Sequence, residues 1–321
     1  MRAFSGASLA VGAMLALSIS VGCSQVGQVQ AKRAFKGANQ AYQSQDYRKA
    51  ANLYEEAITE DPNLIQAYFF LGNSLDNLYK PSRKGDPAND KLLTDAVHYY
   101  QTAAEKLAAS PSEDDKKLAE LSLEYLVAAY GADKLNDPAA AEPVLIKMIE
   151  MEPTEPSNYA VLAKIYEDAG AYPEAENVLL RSKAAKPRDP SVYLQLAGFY
   201  NRQGQFDKTI ESLNERAAIE PNNPEAFQTI AGYYWDETRG DASLTDVQKR
   251  DYIMKGLEAV DKALALKSDY VEAITFKGLL LRLQANIEKE PAKQQALLKE
   301  DTELSDKAND LRKAKTTGTS N

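Results

Sequence analysis

The sequence predicts an all-α fold, a solenoid of repeated helix hairpins closed by a C-terminal capping helix. Three observations predict it. Pro153, Pro187 and Pro221 stand 34 residues apart, and the segments between them share side chains at matching places: Tyr159 with Tyr193 and Phe227, Leu162 with Leu196 and Ile230, Tyr166 with Tyr200 and Tyr234. Within each unit apolar residues recur at spacings of three and four over two successive stretches of roughly 14 residues, the pattern of two amphipathic helices. Small residues hold fixed places in both stretches, as close helix packing requires.

The first segment stands apart from the repeats. From Met1 to Gly22 the only charge is Arg2, and Leu9, Ala10, Val11, Met14, Leu15, Ala16, Leu17 and Ile19 form an apolar run, which reads as an export signal over 1–22. The run is shorter and richer in Ser and Gly than the about 20 mainly apolar residues of a spanning helix. The one cysteine, Cys23, follows Ser20-Val21-Gly22, where the sequence turns polar at Ser24-Gln25. These residues resemble a bacterial lipobox, with Ser20 where Leu is usual. The resemblance implies lipidation of Cys23, a linker over 23–30 and a membrane-anchored lipoprotein facing the periplasm; a residue other than Asp after the cysteine implies the outer membrane. Ordinary signal cleavage or an uncleaved anchor are the alternatives, giving a secreted or an inner-membrane protein.

Repeats follow, starting near 31, 65, 122, 156, 190, 224 and 271, so two of them carry extra residues. Gly170 and Gly204 fall between paired helices, where a left-handed residue ends the first one. Asp189-Pro190 and Asn223-Pro224 each place a capping side chain before proline at the first helical position. Ala38, Gly72, Ala129, Ala163, Ala197, Ala231 and Gly278 share one place in the first helix. Ala50, Ala96, Ala141 and Ala175 share one in the second, and Ala57, Ala103 and Ala263 another. The alanines are expected to close each hairpin, and the recurring tyrosines to join one hairpin to the next.

The extra residues form insertions near 80–90, a basic loop reading KPSRKGDPAND, and near 237–250, around Gly240. Lengthened surface loops are the simpler reading, since extension adds little entropy; a docking patch of Lys80, Arg83 and Lys84 is the sharper one. After Pro291, Ala296, Leu297, Leu304, Ala308 and Leu311 continue a one-faced helical pattern. This suits a cap over the last hairpin, which would otherwise expose an apolar face. The tail 313–321 is Lys, Thr, Gly and Ser with little else, and is expected to be disordered.

The spacing, small residues, aromatics and closing prolines together resemble the tetratricopeptide repeat (TPR) family. The resemblance implies a right-handed superhelix of about seven repeats over 31–312. Thr209 and Arg216 depart from it where small residues are expected, as does Ser268 where proline is. Some members hold C-terminal carboxylates with a clamp of Lys, Asn and Arg; here Phe35 and Phe70 occupy two of those places, which disfavours that ligand.

Composition removes most catalytic classes. One Cys and one His exclude a disulfide framework and leave too few ligands for a Cys/His metal site. A net charge of −9 argues against affinity for nucleic acid. Neither a phosphate-cradling Gly-Lys-Ser/Thr loop nor a Gly-x-Ser-x-Gly elbow is present. His98 lies between Val97 and Tyr99, a helix-surface or packing position. No enzyme activity and no cofactor is expected.

Stacked hairpins offer a groove lined by their first helices. The places outside the packing stripe are Phe35, Asn39 and Tyr42; Phe69 and Asn73; Leu126 and Tyr130; Lys164 and Glu167; Leu194, Gly198 and Arg202; Gln228, Gly232 and Trp235. Aromatics offer contact area and amides can satisfy a bound strand, while Gly198 and Gly232 leave room in front of Trp235. The expected function is a non-enzymatic, membrane-anchored interaction scaffold of the cell envelope, holding a peptide or helix of another envelope protein. A periplasmic binding protein for a short peptide or cell-wall fragment, or an accessory subunit of an envelope enzyme, is the alternative.

Overall fold

The structure, a computed structural model, describes the backbone of residues 10–317 and the side chains of residues 26–315. The start of the export signal, the Cys23 side chain and residues 318–321 of the tail lie outside the described residues.

The described residues form fourteen α-helices and no strand. They fall into two compact units that divide after Pro153. The first holds α1 (Ala10–Gln43), α2 (Tyr47–Glu60), α3 (Gln66–Leu78), α4 (Pro87–Ala108), α5 (Glu113–Tyr130) and α6 (Pro138–Met151), with one 3-10 turn at Pro81–Arg83. The second holds α7 (Pro156–Asp168), α8 (Tyr172–Ala185), α9 (Pro190–Arg202), α10 (Phe206–Ile219), α11 (Pro224–Gly240), α12 (Asp246–Leu266), α13 (Val271–Ile287) and α14 (Pro291–Thr317). In each unit a helix packs on the next in sequence, and the first helix of one hairpin also reaches that of the following one, α3 on α5, α7 on α9 and α11 on α13.

Local sequence explains the boundaries. The side chains of Asp86, Asp137, Glu155, Asp189 and Asn223 each accept a backbone N–H of the helix they open, and proline follows at the first helical position. Gly170 and Gly204 have φ of 75° and 66°, the left-handed turn expected of them. The same place in the repeat frame is filled by Gln45 (φ 61°) and Asn136 (φ 56°), so the turn persists where its usual residue is absent.

The shared small residues are buried, as expected. A Cβ on Gly72 would lie 3.1 Å from the Ala96 carbonyl oxygen, so the small places of α3 and α4 face each other. Thr209 turns its hydroxyl to the Gln205 carbonyl at 3.1 Å. Arg216 is buried, with its guanidinium carried to Glu220 (2.8 Å) and Glu225 (3.1 Å). Those partners explain how α10 tolerates two polar residues at places meant for alanine.

Several boundaries differ from the sequence reading. Residues 23–30 are helical within α1 rather than a linker, and a Cβ on Gly27 would meet the Glu60 carbonyl at 3.1 Å. The helix expected from 122 starts at Glu113, because Ser112 caps it and three acidic residues fill its first turn, where the helix dipole favours them. The insertion near 80–90 is a loop only as far as Asp86; Pro87 begins α4, and buried Asn89 ties the loop through the Lys80 N–H and the carbonyls of Lys80 and Arg83. Most of 237–250 lengthens α11 and α12, leaving a loop at 241–245 closed by a Thr245–Gln248 capping box. The capping helix exists as the second helix of the last hairpin: Ala308 of α14 is buried, and Leu304 and Leu311 pack with it on Val271 and Ile274. Its helical turns continue to Thr317, so 313–317 are ordered helix and not tail.

Candidate partner-binding site

The groove residues proposed from sequence separate into two chemically different sets. In the first unit Phe69, Asn73, Leu126 and Tyr130 are buried, and their places on the first helices serve packing instead of a partner. Phe35 sits edge-on to Tyr54 at 5.7 Å and to Phe70 at 6.5 Å, and Phe69 lies 5.7 Å from Tyr125. The amides are equally engaged. Tyr54 donates to Asn39 Oδ1 at 2.7 Å, Tyr42 to Asn73 Oδ1 at 2.6 Å, and Asn77 Nδ2 to the same oxygen at 2.9 Å. Gln101 Nε2 donates to the Tyr130 hydroxyl at 3.1 Å.

Sequence reading expects these amides to satisfy a bound strand; they satisfy buried tyrosines. Burial pushes the Tyr42, Tyr54 and Tyr100 phenols above their ordinary range, so each keeps its proton. The seam ends in a charge pair that sequence reasoning missed: the Tyr100 hydroxyl lies 3.3 Å from Asp76 Oδ2, and Lys134 Nζ reaches both Asp76 oxygens at 2.7 and 2.9 Å. Lys134 stands 58 residues away in the loop after α5, so no spacing rule links the two.

The second unit brings its predicted residues together. Lys164, Glu167, Leu194, Gly198 and Arg202 line one cleft of about 190 Å³ between α7 and α9, with Ala160, Ala163, Leu179 and Gln195 completing it. Arg202 grips Glu167 in a fork, Nε to Oε1 at 2.8 Å and Nη2 to Oε2 at 2.9 Å. The Arg202 hydrogen bonds hold the Glu167 carboxyl below its usual range. Lys164 pairs with Asp168. Leu194 is exposed, and so is Val161 on α7. Gln195 Oε1 is buried with no hydrogen-bond partner among the described residues, a local cost to the fold. Gln195 escaped notice because sequence alone does not show which way its amide turns beside Leu194.

Further along, Gln228 and Trp235 are half-buried. Trp235 sits edge-on to Phe276 at 5.9 Å, with the Arg239 guanidinium 4.7 Å from its ring centre. The space expected at Gly232 is taken, since a Cβ there would meet the Phe276 ring at 3.3 Å. His98 is exposed on α4. Among the described residues no His, Cys, Asp and Glu cluster could hold a metal ion, and no helix is long and apolar enough to cross a membrane.

Residues 134–193 match the tetratricopeptide repeat family model. No match was found among curated proteins. The C-terminal part of a TPR repeat-containing protein from Cytophaga hutchinsonii superposes with a TM-score of 0.54 at 15% identity, covering 86% of this chain and 98% of that one. A tetratricopeptide repeat protein from Parabacteroides merdae gives a TM-score of 0.43 at 13% identity, over 85% of this chain and 99% of that one. MamA gives 0.41 at 16% identity, over 62% and 94%. Residues 134–193 thus carry the tetratricopeptide repeat signature, and the all-α fold is shared with the Cytophaga hutchinsonii structure.

Proposed function

We propose that the chain is a non-enzymatic scaffold of the cell envelope that holds a segment of a partner protein in the cleft between α7 and α9. One observation carries this reading: five groove residues read from the repeat frame line a single cleft. Ala160, Ala163, Leu179 and Leu194 suit an apolar anchor side chain, and Gln195 sets an amide beside them. The fork to Glu167 uses Nε and Nη2 of Arg202, which leaves Nη1 for a partner carbonyl or carboxylate. The apolar run before Cys23 supports export, and the lipobox-like residues at 20–23 support a lipid anchor at that thiol.

A photo-crosslinking residue at position 194, introduced in the producing cell, tests the cleft. The expected result is a protein adduct that disappears when Gly198→Leu fills the cleft and persists when leucine replaces exposed Asn201. An adduct indifferent to Gly198→Leu removes the proposed mode, and a small cell-wall fragment as the crosslinked species favours a ligand-binding protein. Metabolic labelling with an alkynyl fatty acid tests the anchor, which predicts a label lost in Cys23→Ser.

A further inference from the structure

A second and larger concavity, about 570 Å³, lies along α10 and α12 with α11 beneath, away from the cleft just described. Its floor is a trio of rings: Phe206 to Tyr252 at 5.0 Å, Phe206 to Tyr234 at 5.5 Å and Tyr234 to Tyr252 at 5.7 Å. Asp207 and Glu211 line it one turn apart on α10 and so share a face. The neighbouring charges are already committed: Glu215 is bound by Lys183 at 2.5 Å, and Lys255 on the opposite wall by Asp251 at 2.7 Å. Among the described residues, Asp207 and Glu211 have no ion-pair partner. Tyr234 is 7% exposed, yet among the described residues its hydroxyl has no hydrogen-bond partner. Burial first, then the charges of Asp241 and Asp207, holds the Glu237 carboxyl above its usual range.

The preceding joint of the same unit shows what such a set of groups receives. Tyr200 stands one repeat before Tyr234. Its hydroxyl donates to Glu176 at 2.8 Å, and Lys208 Nζ lies 4.8 Å from its ring centre while bonding Glu176 at 2.9 Å. A phenol, a carboxylate and an ammonium form one closed set there. At Tyr234 the phenol and carboxylates recur with more aromatic surface, and among the described residues no cation lies over any of the three rings, Lys255 at the wall being held by Asp251. We propose that this concavity receives an arginine or lysine side chain presented by a partner protein, its cation over the Phe206–Tyr234–Tyr252 floor and its N–H groups on Asp207, Glu211 and the Tyr234 hydroxyl. Aromatic faces flanked by carboxylates attract such a cation, and a guanidinium also stacks on them.

Saturation-transfer NMR on the full chain, irradiating protein aromatic protons, tests this with Nα-acetyl-arginine methyl amide as probe. Transfer to the arginine methylenes is expected, with a neutral citrulline analogue giving at least fivefold less. Tyr252→Leu, which removes a ring and no charge, and Glu211→Gln are each expected to weaken the probe at least threefold. Glu300→Gln on α14, which changes net charge equally, should leave it unchanged. Citrulline binding as well as arginine, or Glu300→Gln costing as much as Glu211→Gln, would overturn the proposal. Glu211 is exposed, so that variant decides the matter even if Tyr252→Leu impairs folding.

Discussion

The joints between hairpins in the two units meet one requirement with different chemistry. In the first unit, neutral tyrosines and asparagines tie α1, α2, α3 and α4 together, and the charge pair at the end of that seam, Asp76 with Lys134, is largely withdrawn from water. In the second, the joints run through Glu167–Arg202, Glu176–Lys208 and Lys183–Glu215, each with at least one partner substantially exposed. Buried amides hold a fixed geometry because breaking any bond strands a polar atom. Surface ion pairs contribute little and exchange readily. The first unit is therefore held by buried bonds, and these joints of the second by pairs that water reaches.

The largest break in this contrast is expected from Tyr100→Ala, which removes a fully buried ring from the first seam and should cost about 3–5 kcal/mol in denaturant unfolding. Lys134→Met should follow at about 3 kcal/mol, because it leaves the Asp76 carboxylate buried without its cation; Asp76→Asn in the same background should restore part of the loss. Arg202→Ala should cost at most about 1 kcal/mol, since its side chain is 52% exposed and the pair is screened by solvent. Equal costs for Lys134→Met and Arg202→Ala would erase the distinction between the units.

Acid sharpens the contrast further. Hydrogen bonds from Arg202 to Glu167, and from Lys208 and Tyr200 to Glu176, hold both carboxyls below the usual range. Their stabilisation is complete above the unfolded value of about 4.3 and is lost as pH falls through the folded values. Tyr42, Tyr54 and Tyr100 are shifted upward, so their contribution is intact at low pH and declines only as pH rises beyond about 10. Hydrogen exchange, corrected for intrinsic rates, should show α8 to α10 loosening as pH falls below about 4.3 while α2 to α4 stay protected.

The repeat frame was legible because its signals are local. Pro156, Pro190, Pro224 and Val271 begin helices at the residues the spacing selects. The helix from Glu113 was missed although Ser112 and the acidic turn after it are ordinary start signals, because the frame was carried through an insertion that had altered it. The site was less legible. Spacing places Asn39 and Asn73 on a face, but it does not reveal that Tyr54, 15 residues on, or Tyr42, 31 residues back, will claim their oxygens. Phe276 likewise fills the space at Gly232 from the next hairpin, a contact that no single repeat encodes.

The unbroken course of α1 bears on how the protein would meet a bilayer. The helix touches the end of α2 at Gly27 and continues through Cys23, so at 1.5 Å per residue the thiol-bearing position stands about 6 Å from that contact. A fatty acid attached there would fasten the first unit to a stiff post in place of a slack leash. The reach of the unit would then be set by the length of a helix rather than by the wandering of a coil.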